Sequence, residues 1–276
     1  MTAGANVVEM HPIERLRYVA RASGVPQRVI VQETAAALAS FGSDPQGLVT
    51  ACRRIVSRQP TSGPLVWFAS RVLTAGDPAS EIWEAAGAMQ ADPTAAELAH
   101  ALPDDATVSV LDWPDELGDI LPRRGDLTVL VIDTLSEGSG FTSRLLHADV
   151  EAVDVPLAGL GAAVAASSLV LLESPAVGPD EFLAVAGSRA AAAVARHAGI
   201  PVWLVGGVGR LLPQRMWDGL RLRVERGGDP WDAHEEVVPL DLVDRIAGPA
   251  GVEPVAAALR RTDCPIVPEL FRGDVI

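Results

Sequence analysis

The spacing of apolar positions along the chain changes once, near Pro103. Before that point it is helical. In Pro45–Ser57, Leu48, Cys52, Ile55 and Val56 share one side of a helix. Gln32–Phe41, Leu65–Leu73 and Glu81–Leu98 carry similar stripes, punctuated by the breakers SDPQ, RQPTSGP, GDP and ADP. Asp44, Ser62 and Asp77 stand at N-cap positions, with Pro45 and Pro78 suited to a first turn. Strand-like alternation is absent from this half.

Beyond Pro103 the apolar runs shorten and become rich in Val, Ile and Leu. They predict strands over Thr107–Leu111, Leu127–Ile132, Val150–Val155, Leu169–Leu172 and Val202–Val205. Each is followed by a Gly, Pro or Ser loop and then a helical stretch. One such unit runs from Leu169 through a loop ending at Gly187-Ser188, an Ala-rich helix over Arg189–His197, and the strand at Val202. Strands alternating with helices build an α/β fold with a doubly wound, mostly parallel sheet. The expected organisation is an N-terminal helical domain, 1–103, and an α/β Rossmann-like domain, 104–276. In such sheets ligands lie beyond the carboxyl ends of the strands. The loops of interest are therefore 112–115, 133–140, 156–161, 173–180 and 206–210.

Charge narrows the function classes. A formal charge of −14 argues against broad nucleic-acid binding, which depends on Lys and Arg neutralising phosphates. The run Arg215–Arg226 (RMWDGLRLRVER) is either a local basic patch or a solvated helix face. No run of about 18 apolar residues suggests a membrane span, and the opening MTAGANVVEMHPIERLRY has no apolar leader segment. Cys52 and Cys264 lie far apart and read as two reduced thiols, which fits a cytoplasmic protein.

Several short patterns carry candidate chemistry. The loop DTLSEGSG (Asp133–Gly140) offers backbone amides and the Ser136 and Ser139 hydroxyls to an anion at a helix start. Asp133 and Glu137 would repel that anion, and a plain capping loop is the alternative. GGVGR (Gly206–Arg210) presents glycines and a cation after a strand. It is not a dinucleotide fingerprint, because Leu212 stands where the third Gly belongs. Its Arg210 either binds an anion or pairs with a carboxylate. GLGAAV (Gly159–Val164) ends in Val, and His234-Glu235-Glu236 lacks a second His because position 238 is Val. No cofactor and no metal are expected. Glu173 ends a strand where a general base would be placed, and Asp112, Asp115 and Asp133 complete the pool of strand-end carboxylates.

Four segments, in order, resemble the family of the alpha, beta and delta subunits of initiation factor 2B. Its relatives include methylthioribose-1-phosphate isomerase and ribose-1,5-bisphosphate isomerase. SRQPTSGPLVWFASRVL (Ser57–Leu73) is similar to the family's Arg-Pro-Thr loop and helix. VLVIDTLSEGSGFTSRLL (Val129–Leu146) is similar to its Glu-Ser-Arg-Pro strand and loop. Ser167–Val208 resembles the strand, Gly-Ser/Thr turn, helix and strand that follow. Val237–Phe271 resembles the closing stretch. The resemblance implies an N-terminal helical domain, a sheet of the NagB/RpiA/CoA-transferase-like kind, and a homodimer formed through the α/β domain. The apolar residues of Leu211–Leu222, including Met216 and Trp217, are the expected dimer contact.

The isomerases' chemical residues do not carry over. Gln59 replaces the phosphate-binding Arg, although Arg58 is adjacent and Thr61 follows. The loop after the first strand, Asp112-Trp113-Pro114-Asp115, holds no Cys. The catalytic Asp falls near Glu173-Ser174-Pro175, and Leu135 takes the place of the Arg of Glu-Ser-Arg-Pro. Gly140, Gly187 and Ser188 do match, and they shape backbone. The expectation is a non-isomerase, initiation-factor-2B-like protein that self-assembles and binds a small phosphorylated metabolite or nucleotide. Arg58, Thr61, Ser136, Ser139, Gly140, Gly187, Ser188, Gly207 and Arg210 are its candidate anion-binding residues. The alternative is a divergent sugar-phosphate aldose–ketose isomerase, or a related enzyme, using strand-end carboxylates, with Glu173, Asp133 and Asp112 the catalytic candidates.

Overall fold

The computed structural model describes residues 25–41, 44–225 and 229–272. The opening stretch read as lacking a leader, and Arg226 of the basic run, lie outside the described residues. The first part of the described chain is helical: α1 (Gln27–Leu38), α2 (Pro45–Arg58), α3 (Gly63–Thr74), α4 (Pro78–Gln90) and α5 (Thr94–Ala101). The expected caps form. Asp44 accepts from the amides of Gln46 and Gly47 at 3.1 and 2.9 Å, and Ser62 Oγ accepts from Leu65 at 3.2 Å. Asp77 accepts from the amide of Ala79 at 3.1 Å. The stripe over Glu81–Leu98 is broken into two helices, because Pro93 cannot continue α4 and Asp92 turns to hold the Thr94 amide at 2.9 Å.

Ten strands follow among the described residues: β1 (Thr107–Leu111), β2 (Thr128–Asp133), β3 (Glu151–Pro156), β4 (Leu169–Glu173), β5 (Ala176–Val177), β6 (Glu181–Val185), β7 (Val202–Val205), β8 (Glu235–Pro239), β9 (Arg245–Gly248) and β10 (Gly251–Pro254). Between them lie α6 (Leu117–Ile120), α7 (Gly138–His147), α8 (Leu160–Ala166), α9 (Ser188–Ala198) and α10 (Gln214–Val224), with α11 (Val255–Leu259) after β10. Seven strands form one sheet in the order β10-β9-β7-β4-β1-β2-β3. All its pairings are parallel except β10 with β9, so the doubly wound expectation holds. The central strands are buried on both faces, as their unbroken Val and Leu runs require. Strand order reverses between β1 and β4, which opens a crevice at their carboxyl ends.

Two features depart from the sequence reading. The stretch between β4 and α9, expected to be a loop, contributes β5 and β6 to a second, antiparallel sheet of order β5-β6-β8. These strands are two and five residues long, and β8 is more than forty positions away in the chain, so no local pattern announced the pairing. The expected dimer contact is also corrected. Met216, Trp217 and Leu220 of α10 are fully buried in the chain's own core, with Leu65, Trp67 and Phe68 of α3. Leu222 alone of the large apolar residues on that helix is half exposed. The arginines of α10 divide: Arg215 is exposed and Arg221 lies 2.9 Å from Glu225, whereas Arg223 donates to the Leu270 carbonyl at 3.0 Å and lies over the Phe271 ring.

Candidate functional site

A cavity of about 1380 Å³ opens at the reversal of strand order. Its floor is the ends of β1 and β4 with the loop after β2, and its rim is the start of α1 and the turn between α2 and α3. Of the expected residues, Arg58, Thr61, Asp112, Ser136, Ser139, Gly140, Glu173 and Arg210 line it. Asp133, Gly187, Ser188 and Gly207 are not among the residues lining it.

Asp112 organises the loop after β2. Its carboxylate accepts from the Thr134 hydroxyl and from the amides of Leu135 and Glu137 at 3.1 and 3.3 Å. Asp133 closes the same loop from the other end, accepting from the amides of Ser136 at 2.7 Å and Gly138 at 3.4 Å. The amides of Leu135, Ser136, Glu137 and Gly138, within the stretch expected to cradle a ligand anion, are therefore committed to the protein's own carboxylates. That loop is a cap, and Asp112 and Asp133 serve it as hydrogen-bond acceptors.

The turn Gly206–Arg210 is likewise built around internal carboxylates. Asp92 accepts from the Val208 amide at 2.6 Å. A side chain at Gly207 would overlap the Asp92 carboxylate and come within 2.9 Å of Glu116. Gly209, at φ +76°, packs its backbone against Trp67. Both glycines admit protein groups, so the expectation of Gly207 as a ligand-binding position is corrected to a packing role.

Arg210, 1 % exposed, lies at the base of the cavity. Its Nη2 is 2.7 Å from Glu116 and its Nη1 3.3 Å from Glu173, and Nη1 also donates to the Ser174 carbonyl at 2.7 Å. Burial works against its charge, but Glu116, Glu173 and Asp115 outweigh that and hold the guanidinium above its ordinary value. Burial pushes both glutamates up, with the charge of Arg210 opposing it. Glu173 further accepts the amides of Glu116 and Leu117 at 2.8 and 3.2 Å. The sequence placed Arg210 and Glu173 each at a strand end, and the structure makes those strands neighbours and joins the two side chains. Glu116, the closer partner, was missed because it sits one residue beyond the loop chosen from the sequence.

The remaining wall carries two groups that motif reasoning passed over. Glu235, at the start of β8, accepts from the Thr61 hydroxyl, and burial pushes its carboxyl up to about 7. It belonged to a His-Glu-Glu run set aside for not being a metal motif, and only the pairing of β8 with β6 brings it to the cavity. Trp113 stands at the opposite strand-end loop, 42 % exposed. Arg28 and Arg144 also line the cavity, and both are paired to Asp119, at 2.6 and 3.1 Å. Arg58 differs, with no ion-pair partner among the described residues.

Gly187, at φ +98°, and Ser188 open α9 as the sequence suggested, but the second helix amide, that of Arg189, is taken by Glu236 at 2.9 Å. An internal carboxylate thus occupies the helix start at which a ligand anion was expected. The two thiols are equally remote from the cavity. Cys52 and Cys264 are buried in the helical core, and burial pushes both up to about 12. No cluster of His, Cys, Asp and Glu suited to a metal ion occurs among the described residues, and no described helix is long and apolar enough to cross a membrane.

No protein-family model matches the sequence, and no curated protein sequence does. Solved structures do match. The translation initiation factor eIF-2B of Pyrococcus horikoshii OT3 superposes with a TM-score of 0.73 at 14% identity, over 90% of this chain and 98% of that one. The eIF2B beta subunit of Chaetomium thermophilum gives 0.72 at 17% identity, over 94% and 91%. A chain of the tetrameric eIF2B-beta2-delta2 complex from C. thermophilum gives 0.75 at 17% identity, over 90% and 92%. The chain has the fold of these initiation factor 2B subunits along almost its whole length.

Proposed function

We propose that this protein is an initiation-factor-2B-like binding subunit that holds a small phosphorylated metabolite or nucleotide in the strand-end cavity and self-assembles, without running the isomerase reaction. The observation that carries this reading is the state of the strand-end groups. Asp112 and Asp133 accept hydrogen bonds from loop amides and Glu173 is ion-paired to a buried arginine, while both thiols lie in another core. Aldose–ketose isomerisation needs a group that moves a proton between neighbouring carbons and cations that hold the phosphate. Arg58 at the rim, beside Thr61, remains to receive one anionic group. Self-assembly is supported by a similar structure being a tetrameric complex of beta and delta subunits, and two-fold dimers are the commonest assembly.

A thermal-shift screen of sugar phosphates and nucleoside monophosphates tests the binding, because a ligand of the folded state raises the Tm. At least one compound stabilises the protein, and Arg58→Ala weakens it by about 1.5–3 kcal/mol, the worth of a hydrogen bond to a charged group. Light scattering at micromolar concentration reports a dimer mass or larger. A monomer mass, or no stabilising ligand, overturns the corresponding half of the reading. In a coupled assay, methylthioribose 1-phosphate and ribose 1,5-bisphosphate are not turned over.

One observation favours the second reading, a divergent isomerase. Glu235 faces the cavity with its carboxyl pushed up to about 7, suited to proton transfer at neutral pH. Turnover of a sugar phosphate that is lost in Glu235→Gln would establish it.

A further inference from the structure

Arg210 is one cation in a junction with four carboxylates. Glu116 lies 2.7 Å from its Nη2, Asp115 4.0 Å from the same nitrogen, and Glu173 3.3 Å from its Nη1. Asp92 reaches the same turn from the α4–α5 loop, accepting from the Val208 amide at 2.6 Å. Arg28 of α1 also acts on Glu116 and Asp115, but Asp119 already holds it at 2.6 Å. With every group ionised, this junction carries a surplus of negative charge where little water reaches, and burial makes such a surplus costly.

Hydrogen-bond accounting shows where the surplus is relieved. Glu173 accepts two amides besides the guanidinium. Asp115, 26 % exposed, accepts from the Gln27 amide at 2.9 Å. Asp92 takes the Val208 amide on one oxygen, and the amide and hydroxyl of Thr94 on the other, at 2.9 and 2.6 Å. Glu116 meets Arg210 with Oε1, whereas its Oε2 is buried with no hydrogen-bond partner among the described residues. Gly207 stands beside it. A Cβ there would overlap Asp92 Oδ2 and lie 2.9 and 3.2 Å from the two oxygens of Glu116, so both carboxylates look into one small space. Two carboxylates so placed repel unless they hold a proton between them. Burial pushes the Glu116 carboxyl up, Arg210 opposes it, and Glu173, Asp92 and Asp115 add to the rise.

We propose that Asp92 and Glu116 form a carboxylate pair sharing one proton, a pH-sensitive clasp that ties the helical segment to the turn presenting Arg210. While the proton is held, the α4–α5 loop and the loop before α6 attract across Gly207. Once it is lost the pair repels, and the hold on the turn loosens together with the base of the cavity. The folded protein binds this proton more tightly than the unfolded chain. The clasp's contribution is therefore complete below the ordinary carboxyl value and is lost as pH rises through the raised one.

Urea denaturation of the full chain from about pH 5 to about pH 9 tests this, in a Glu235→Gln background so that Glu235 adds no slope. The unfolding equilibrium constant rises by about tenfold or more over that range. Glu116→Gln and Asp92→Asn each keep the side-chain shape and an accepting oxygen but carry no acidic proton. The first abolishes the rise and the second removes most of it. Protection of the Val208 amide against hydrogen exchange, corrected for its intrinsic rate, falls over the same range in the background protein and stays level in Glu116→Gln. A rise that survives in Glu116→Gln, or that Asp92→Asn leaves whole, overturns the shared proton. Should either variant fail to fold, the side-chain carboxyl carbons of Glu116 and Asp92, followed by NMR in the background protein, decide the matter. The two titrating in step near neutral pH uphold the pair, and Glu116 titrating alone, or near the ordinary glutamate value of about 4.3, overturns it.

Discussion

The guanidinium of Arg210 lies 2.7 Å from the carboxylate of Glu116, and the pair is buried where the turn after β7 meets the loop after β1. Glu173 at the end of β4 completes the cluster from the other side, and Asp92 of the α4–α5 loop ties down the turn that presents the arginine. A feature that looked like an anion-binding turn is thus an internal charge cluster linking the helical segment to the strand ends.

Removing the arginine leaves two glutamates without their cation in a desolvated place. Arg210→Met should cost about 3–5 kcal/mol of stability, read as a lower denaturation midpoint in urea. Adding Glu116→Gln and Glu173→Gln to the same protein should recover much of that loss, because the stranded charges are then gone. A full loss that persists in the triple variant would place the effect in packing instead.

The raised carboxyl of Glu235 gives stability a definite dependence on pH. Its value in the folded state, about 7, lies above the ordinary 4.5, so the folded protein holds this proton more tightly than the unfolded chain. The contribution is complete below the ordinary value and is lost as pH rises through the folded one. The protein should therefore melt at lower temperature as pH is taken from about 5 to about 8. Glu235→Gln should flatten that slope and raise the Tm at the alkaline end. An identical slope in the variant would assign the dependence to Glu116 and Glu173, which shift in the same direction.

Gly207→Ala introduces a methyl group where the Asp92 and Glu116 carboxylates already stand. The turn or the carboxylates must move, and the expected loss is about 1–3 kcal/mol in chemical denaturation, as for other overpacked sites. Gly76→Ala, where no atom lies within 4 Å of the new methyl, is the matched control and should leave the midpoint nearly unchanged.

The buried thiols should be silent in the native protein. Cys52 and Cys264 are pushed up to about 12, so little thiolate exists near pH 8 and little of either sulfur is accessible. Labelling with a thiol-reactive probe should proceed at the rate of unfolding and run to two thiols per chain in denaturant. Rapid native labelling would mean that the core around Cys52 opens locally.

Local pattern determined the elements. Helical stripes ended by Asp44-Pro45, Ser62-Gly63-Pro64 and Asp77-Pro78 became capped helices, because a cap and the first turn it satisfies lie within three residues of each other. Short runs of Val and Leu between turn residues became the central parallel strands, since burial on both faces demands an unbroken apolar run. The same local information placed Asp112, Ser136, Ser139, Gly140, Glu173 and Arg210 at one end of the sheet, the family resemblance added Arg58 and Thr61, and all of these line the cavity. Only the tertiary structure decided what each of them faces. Glu116 and Arg210 are ninety-four positions apart, Thr61 lies between two helices and Glu235 on a strand of the second sheet, and Glu236 closes the α9 start from β8. Such pairings depend on which strands meet and in what register, and a carboxylate at a strand end reads the same in sequence whether it meets solvent, an amide or a buried arginine.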